Sequence, residues 1–314
     1  MMQLAGVHVY SSLTRPAISA VIPSYRRYNE VVRATRSVLA QTLAPLEVIV
    51  VNDGPDGRKA RLLAELGDER IRFLEAVRRG SASATRNHGI RYARGDWVAL
   101  LDDDDVWLPG KLEAQFSTLE GSGHTEAILA GQERVHLSNG RTHLRPPGAD
   151  GEPVAAVKML FGGRGVHTSA LLAPTSAFRR YPFNEDAERH EDWEWLLQAG
   201  RELPVIVAPD VVCERWMRPG EGLSRPGGFD YTWNWYLRNR ALIDTHSRVR
   251  LICGPLTRKA AFDRTPSALL RLLPELRRNE GLSPSNIVRI SVPWLISSKL
   301  REFARNRLTR DTQQ

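Results

Sequence analysis

Four consecutive aspartates, Asp102–Asp105, directly follow the apolar run Trp97–Leu101. Adjacent carboxylates repel one another, so a folded protein tolerates such a run cheaply only in open solvent or around a cation. The apolar run predicts a strand, and open α/β sheets bind their ligands at the carboxyl ends of strands. A solvated acidic turn is the alternative interpretation. Because the largely apolar segment Val106–Pro109 follows, we favour a divalent-metal site.

The first part of the chain alternates two hydrophobic patterns. Short, β-branched apolar runs predict strands at 17–22, 46–51, 71–74 and 97–101. Helical spacing predicts one helix capped by Asn29, a second from Ser81 to Ala93 and a third starting at Pro109. Strands that alternate with helices imply parallel βαβ units, so we predict a doubly wound α/β domain.

The rest of the chain is less regular. Between 125 and 224 glycine- and proline-rich segments dominate, and a helix at 191–199 is the clearest element. Beyond Arg225 the pattern is mostly helical. We therefore predict a domain over 1–224, with halves at about 17–124 and 125–224, and a helical extension over 225–314.

The net charge of +8 is unevenly distributed, because residues 225–314 carry 17 Lys/Arg and 7 Asp/Glu. A basic segment attracts anionic surfaces, and the lack of a recognised binding motif disfavours nucleic acid. No stretch approaches the roughly 20 apolar residues that span a bilayer, and no signal peptide is predicted. Cys213 and Cys253 are far apart in sequence, which indicates a reducing compartment. We expect a cytoplasmic protein whose basic segment can contact the inner face of the cytoplasmic membrane.

Polar residues follow the first two predicted strands. Tyr25 in Pro23–Arg27 can stack on a base, and Asp53 can accept a base N–H, although Asp-Gly is also a common turn. Gly80–Asn87 opens a helix, and helix N-termini favour anions, so Arg86 can reach a phosphate. A capped helix with a solvated arginine is the alternative.

Four segments together resemble motifs of the family-2 glycosyltransferases, which are inverting nucleotide-sugar enzymes of the GT-A fold. They are Val21–Tyr25, Val50–Gly54, Ala84–Ile90 and Leu101–Trp107, and the resemblance covers about residues 17–224. It implies a mostly parallel, doubly wound sheet flanked by helices. It also implies that Asp102 and Asp104 bind a metal, while Asp103 or Asp105 can share this role. The residues implied to hold the donor are Pro23, Ser24, Tyr25, Arg27, Asp53, Arg86 and Asp103.

Carboxylate and phosphate oxygens suit Mn²⁺ or Mg²⁺, which would neutralise a departing diphosphate. A UDP-sugar is the favoured donor, and dTDP or GDP stays open. His190–Leu197 resembles the family's Glu-Asp motif, which implies Asp192 as general base and Glu191 as its neighbour. An acidic helix start is the alternative interpretation. Gln198 stands where the family often has arginine.

Three segments carry weaker signals. His167 can line the acceptor pocket or be a hydrogen-bonded core histidine, and we favour the second interpretation. The segment with Arg215 and Arg218 resembles a flexible segment that folds over the donor, but it also fits a surface loop. In the tail, Ile296, Leu300 and Phe303 lie on one helical face among basic residues. This helix can lie in an anionic membrane interface or pack on the catalytic domain.

The sequence therefore predicts a metal-dependent inverting glycosyltransferase of cell-envelope polysaccharide biosynthesis, which acts on a glycan or lipid-linked glycan. A catalytically inactive nucleotide-sugar or carbohydrate-binding module is the alternative. A sugar-nucleotide-forming nucleotidyltransferase would need a glycine-rich basic loop after the first strand, where Pro23-Ser24-Tyr25 stands. A dinucleotide oxidoreductase would show GxGxxG there, and this motif is absent.

Overall fold

The computed structural model describes residues 16–137, 139–163, 165–217 and 228–295. The strands are β1 Ile18–Ser24, β2 Glu47–Asp53, β3 Ile71–Ala76, β4 Trp97–Leu100, β5 Val106–Trp107, β6 Ile128–His136, β7 Thr142–Arg145, β8 Pro153–Val154, β9 Leu172–Pro174 and β10 Val205–Trp216. The helices are α1 Asn29–Leu39, α2 Gly57–Ala64, α3 Ala82–Tyr92, α4 Lys111–Gly121, α5 Ala156–Phe161, α6 Thr175–Arg180, α7 Glu191–Ala199, α8 Phe229–Asn239, α9 Thr245–Leu251, α10 Thr257–Phe262, α11 Leu269–Arg278 and α12 Pro284–Leu295.

The strands form one sheet in the order β3-β2-β1-β4-β9-β6-β10-β5, with β7 paired to β6 and β8 paired to β10. β1, β2, β3 and β4 pair in parallel. β9 is antiparallel to both β4 and β6, and β10 is parallel to β6. β6 and β10 therefore point the same way as the first four strands, and the carboxyl ends of all six lie at one edge.

Two hydrophobic clusters cover the two faces of the sheet. Ile22 and Val50 belong to the cluster that includes residues of α1 and α4. Their chain neighbours Val21 and Val51 belong to the other cluster, with residues of α3 and α7. Successive strand residues point to opposite faces, which produces this division. Residues of α8 to α12 belong to the second cluster too, so the C-terminal helices share a core with the sheet. The domain boundary at residue 224 stays a prediction.

The elements expected in the first part of the chain are confirmed, with shifts at their ends. Asn29 was expected to cap α1 but is its first residue, and α4 begins at Lys111 rather than at Pro109. Ser81 does cap α3, since its side chain accepts a hydrogen bond from the Ala84 amide. The sequence did not predict β6 or β10. In both strands polar residues, glycine or proline interrupt the apolar run, at Gly131 and Glu133 in β6 and at Pro209 and Asp210 in β10.

The described part of the C-terminal segment is helical, as expected. Among the described residues, no helix has the length and apolar character required to cross a bilayer. The predicted amphipathic tail, with Ile296, Leu300 and Phe303, lies outside the described residues, and so does Arg218.

Gly89 lets α3 approach the sheet closely. A Cβ atom at this position would lie 2.6 Å from Cγ1 of Val21 and 2.9 Å from Cγ2 of Val51. We expect Gly89→Ala to lower the free energy of unfolding, because overpacking costs about 1–3 kcal/mol and the helix propensity of alanine returns at most about 1 kcal/mol. Denaturant unfolding measures the difference. Gly57→Ala is the control, since a Cβ there meets nothing within 4 Å. Equal loss in both variants would contradict the close approach.

Candidate active site

A cleft of about 660 Å³ lies at the carboxyl ends of β1, β2 and β4. The N-termini of α3 and α7 and the end of β10 complete its wall. The site residues that the sequence predicts all line this cleft: Pro23, Ser24, Tyr25, Arg27, Asp53, Arg86, Asp102, Asp103, Asp104, Glu191 and Asp192. The structure thus brings them together, and their individual roles stay predictions.

Tyr25 and Asp53 lie at the ends of neighbouring strands. Tyr25 is 36% exposed, and the guanidinium carbons of Arg26 and Arg78 each lie 5.1 Å from its ring centroid. Asp53 is buried, and its two carboxylate oxygens accept hydrogen bonds from the backbone amides of Arg79 and Gly80 at 2.7 and 2.8 Å. Asp53 therefore fixes the loop that leads into α3.

Asp103 and Asp104 are paired with Arg27. Nη1 of Arg27 lies 2.6 Å from Oδ1 of Asp103 and 2.8 Å from Oδ2 of Asp104. Ser24 also donates to Asp103 at 2.7 Å, and Lys59 donates to the Ser24 hydroxyl at 2.7 Å. Burial raises the pKa of Asp103 despite Arg27 beside it, and burial lowers the pKa of Lys59. The protein's own cations thus balance part of the aspartate run.

Asp102, Asp105 and His167 converge on one point of the cleft. One ligand atom from each lies within 4.8 Å of the others. Burial, with Asp102 close by, raises the pKa of Asp105 to about 8. Burial, with Arg215 close by, lowers the pKa of His167 to about 3, so its imidazole is neutral and able to coordinate a cation. These three side chains could therefore hold a metal ion.

His167 was missed by the sequence interpretation that we favoured. It is not a core histidine, because its side chain is 27% exposed and lines the cleft. Its Nδ1 accepts a hydrogen bond from the Ser169 amide. His167 lies more than 60 positions after the aspartates in sequence, so no local motif predicts the contact.

Arg86 connects the aspartate run with α7. Nη2 donates to Oδ1 of Asp102 at 2.7 Å, and Nη1 donates to Oε1 of Glu191 at 3.3 Å. The side chain is only 5% exposed. Burial opposes ionisation of Asp102, but Arg86 holds the pKa of Asp102 below its usual value. A contact between Arg86 and a phosphate stays a prediction, since two carboxylates already occupy its terminal nitrogens.

Glu191 and Asp192 are the first two residues of α7. Glu191 pairs with Arg86, whereas Oδ1 of Asp192 accepts a hydrogen bond from the Trp193 amide at 2.9 Å. Burial and the neighbouring Glu191 carboxylate raise the pKa of Asp192 to about 7. A carboxylate with such a pKa is suited to accept a proton near neutral pH.

Arg215 and Trp216 form the far wall of the cleft. They are the last residues of β10 and pair with Val135 and His136 of β6. The sequence interpretations of this segment were a flexible segment over the donor and a surface loop. Both are wrong for these two residues, which belong to a strand. Trp216 stacks on His136 with ring centroids 4.9 Å apart, and the Arg33 guanidinium lies 4.5 Å from the Trp216 ring. These contacts fix the wall.

Residues 19–183 match the family model described as glycosyl transferase family 2. An uncharacterized glycosyltransferase of Rickettsia conorii is 29% identical over 70% of this chain and 36% of its own length. A UDP-Glc:alpha-D-GlcNAc-diphosphoundecaprenol beta-1,3-glucosyltransferase of Escherichia coli is 34% identical over 32% of this chain and 40% of its own length. The chain spans only 26–36% of the length of the first Rickettsia relatives that it matches.

Similarity in structure extends over more of the chain. The crystal structure of residues 1–349 of S. aureus TarS in complex with UDP-GlcNAc has a TM-score of 0.59. The two chains are 18% identical, and the match covers 87% of this chain and 81% of that one. This likeness confirms the expected α/β fold of the GT-A type.

Proposed function

Because the chain belongs to glycosyl transferase family 2, we propose that it moves a sugar from a UDP-sugar to a hydroxyl group of a glycan or lipid-linked glycan. The single observation that carries this proposal is the cleft, which brings together the Tyr25 side chain, an acidic cluster and the carboxylate of Asp192. The UDP-GlcNAc of TarS supports uridine as the nucleoside, and the acceptor of the E. coli relative supports a lipid-linked glycan.

The donor would lie along the ends of β1, β2 and β4. The exposed Tyr25 ring offers a face for a base, and Asp53 retains lone pairs that can accept a base N–H. Pro23 and Ser24 line the floor next to them. The diphosphate would then lie near Arg27 and Asp103, toward the aspartate run.

The residues of the acidic cluster fit a divalent cation. We propose that Asp102 holds Mn²⁺ or Mg²⁺, which as a Lewis acid would stabilise the departing UDP. Asp105 and His167 converge with Asp102, and buried carboxylates there favour a compensating cation. Asp104, the second carboxylate of the motif, would have to leave its ion pair with Arg27 to serve as a ligand. Oxygen ligands outnumber nitrogen in this group, which agrees with a hard cation.

Asp192 would supply the proton acceptor. Its carboxylate takes the proton of the acceptor hydroxyl as that oxygen attacks the anomeric carbon. The bond between the anomeric carbon and the diphosphate oxygen breaks, and its electron pair leaves with UDP. Attack from the face opposite the leaving group inverts the configuration at that carbon. Glu191, the other acidic side chain at the start of α7, is held in an ion pair with Arg86.

UDP release tests this proposal directly. Wild-type protein is incubated with UDP-GlcNAc or UDP-glucose, Mn²⁺ or Mg²⁺, and a GlcNAc-diphosphoryl polyprenol as acceptor, and a new glycosidic bond is sought in the lipid product. A nucleotide sugar that binds should raise the melting temperature. Binding without UDP release under all conditions would instead indicate a nucleotide-sugar-binding module.

We also propose a peripheral membrane contact through the C-terminal segment, which would bring the cleft to a lipid-linked acceptor. The outer face of α12 is apolar, with Val288, Val292 and Leu295 being 58%, 40% and 82% exposed, whereas Ile290 on the inner face is buried. A surface helix normally shows polar residues on its outer side. Exposed Arg289 and the basic excess of residues 225–314 complement an anionic bilayer.

Substitution of this face should weaken membrane binding. We expect Val288→Glu with Leu295→Glu to reduce binding to phosphatidylglycerol vesicles by about tenfold or more, because each apolar side chain contributes about 1.5–3 kcal/mol when buried. Vesicle sedimentation measures the bound fraction. Leu46→Glu is the control, since Leu46 is 50% exposed and precedes β2. Equal partitioning of the wild type and the double variant would contradict this contact.

A further inference from the structure

We infer that α8, from the C-terminal segment, positions the turn that carries the proposed base. This inference rests on the proposed function, in which Asp192 is that base. Tyr231 and Thr232 of α8 hold Arg189 and His190, the two residues that precede α7. The C-terminal segment would thus take part in catalysis through positioning residues.

The Tyr231 hydroxyl binds the backbone of Arg189 in two ways. It accepts a hydrogen bond from the Arg189 amide at 3.1 Å and donates one to the Arg189 carbonyl at 3.0 Å. One side chain therefore satisfies both backbone polar groups of Arg189, a residue that lines the cleft. A backbone residue held at its donor and at its acceptor can neither rotate nor shift without losing both bonds.

His190 is held in an unusual backbone conformation. Its φ is +65°, in the left-handed region, which costs a residue with a Cβ about 1–2 kcal/mol. Three contacts offset this cost. Nε2 of His190 lies 3.1 Å from the Thr232 hydroxyl, and the imidazole stacks on Trp193 at 4.4 Å and lies 5.3 Å from the Trp235 ring.

This conformation sets the start of α7. The carbonyl of His190 accepts the hydrogen bond of the Glu194 amide at 2.9 Å, which closes the first helical turn. Asp192 lies within that turn, so its direction depends on how His190 is held. Strain of this kind persists only where the surroundings impose it, and it is concentrated at functional sites. A displacement of about 1 Å in a reacting group can lower a rate by about 10²-fold.

Two readouts test the inference, and one of them does not require turnover. We expect Tyr231→Phe to increase amide hydrogen exchange in residues 189–194 and to lower kcat for UDP release by about tenfold or more, with the KM for UDP-GlcNAc unchanged. Tyr181→Phe is the matched control, because it also removes a tyrosine hydroxyl, which donates to Glu202, at a site that does not line the cleft. It should change neither readout.

A second pair of variants separates positioning from general stability. Thr232→Val removes the hydroxyl that meets His190, whereas Thr232→Ser keeps it and should restore most of the lost kcat. Unchanged exchange in residues 189–194, or unchanged kcat in Tyr231→Phe, would overturn the inference. So would an equal loss in the Val and Ser variants. If the wild type releases no UDP, the proposed function fails, whereas unchanged exchange in Tyr231→Phe overturns the inference whether or not the wild type releases UDP.

Discussion

Replacement of Asp192 with asparagine should lower the rate of sugar transfer by about 10²–10⁴-fold while donor binding stays unchanged. Asparagine has the same shape as aspartate but cannot take the proton of the acceptor hydroxyl. The donor would lie at the other side of the cleft, near Tyr25 and Asp53, so its affinity does not depend on this carboxylate. UDP release gives the rate, and thermal shift with UDP-GlcNAc gives the binding.

The control for this substitution is Asp210→Asn, an exposed aspartate on β10 outside the cleft, which should keep the full rate. The pH profile provides a second check. Because the pKa of Asp192 is raised to about 7, the carboxyl is protonated below that pH and cannot act as a base. The rate should therefore rise with pH through about 7. Glu191→Gln removes the neighbouring negative charge and should shift this rise in rate to lower pH. Normal turnover in Asp192→Asn would refute the assignment of the base.

Replacement of Asp102 with asparagine should abolish the Mn²⁺-dependent part of donor binding and lower transfer by about two orders of magnitude or more. A cation that stabilises the leaving group supplies several kcal/mol, and each 1.36 kcal/mol corresponds to about tenfold in rate. The variant also leaves Arg86 with Glu191 as its remaining ion-pair partner, so unfolding must be measured beside activity. Titration of Mn²⁺ with UDP-GlcNAc present, followed by thermal shift, measures the effect.

Asp96→Asn is the matched control, because Asp96 is exposed and precedes β4, whereas Asp102 follows the same strand at its other end. A comparison of Asp104→Ala with Asp105→Asn decides which carboxylate shares the ion with Asp102. The sequence motif predicts loss in the first variant, and the convergence with His167 predicts loss in the second. Retained Mn²⁺ dependence in Asp102→Asn would refute the proposed metal site.

The strand ends of the site could be predicted because their signals are local. Tyr25, Asp53 and Asp102 each lie at or just after the end of a largely apolar strand, and parallel strands bring such ends to one edge. The candidate general base could also be predicted from the sequence, because Glu191 and Asp192 begin a helix with a clear hydrophobic period. These positions therefore lie where the pattern of the sequence places them.

Other parts of the site depend on contacts between distant segments. Arg27 pairs with Asp103, 76 positions later, and Tyr231 binds Arg189 across 42 positions. β9 enters the sheet between β4 and β6 with only Leu172–Pro174, which is too short to show a period. His167 reaches the acidic cluster from the turn before that strand. No single-sequence pattern contains such pairings, because they arise only when the chain is packed.

Under the proposed function, the two hydrogen bonds that Asp53 accepts from backbone amides affect the thermodynamics of nucleotide binding. Association is weakened when a ligand must immobilise a mobile loop, since the lost backbone freedom subtracts from the gain in contacts. Here the segment from Arg79 to Gly80 is tethered to β2 by hydrogen bonds to the Asp53 carboxylate. A nucleotide arriving at this edge would meet a rigid receptor, and its contacts would contribute to affinity without that loss.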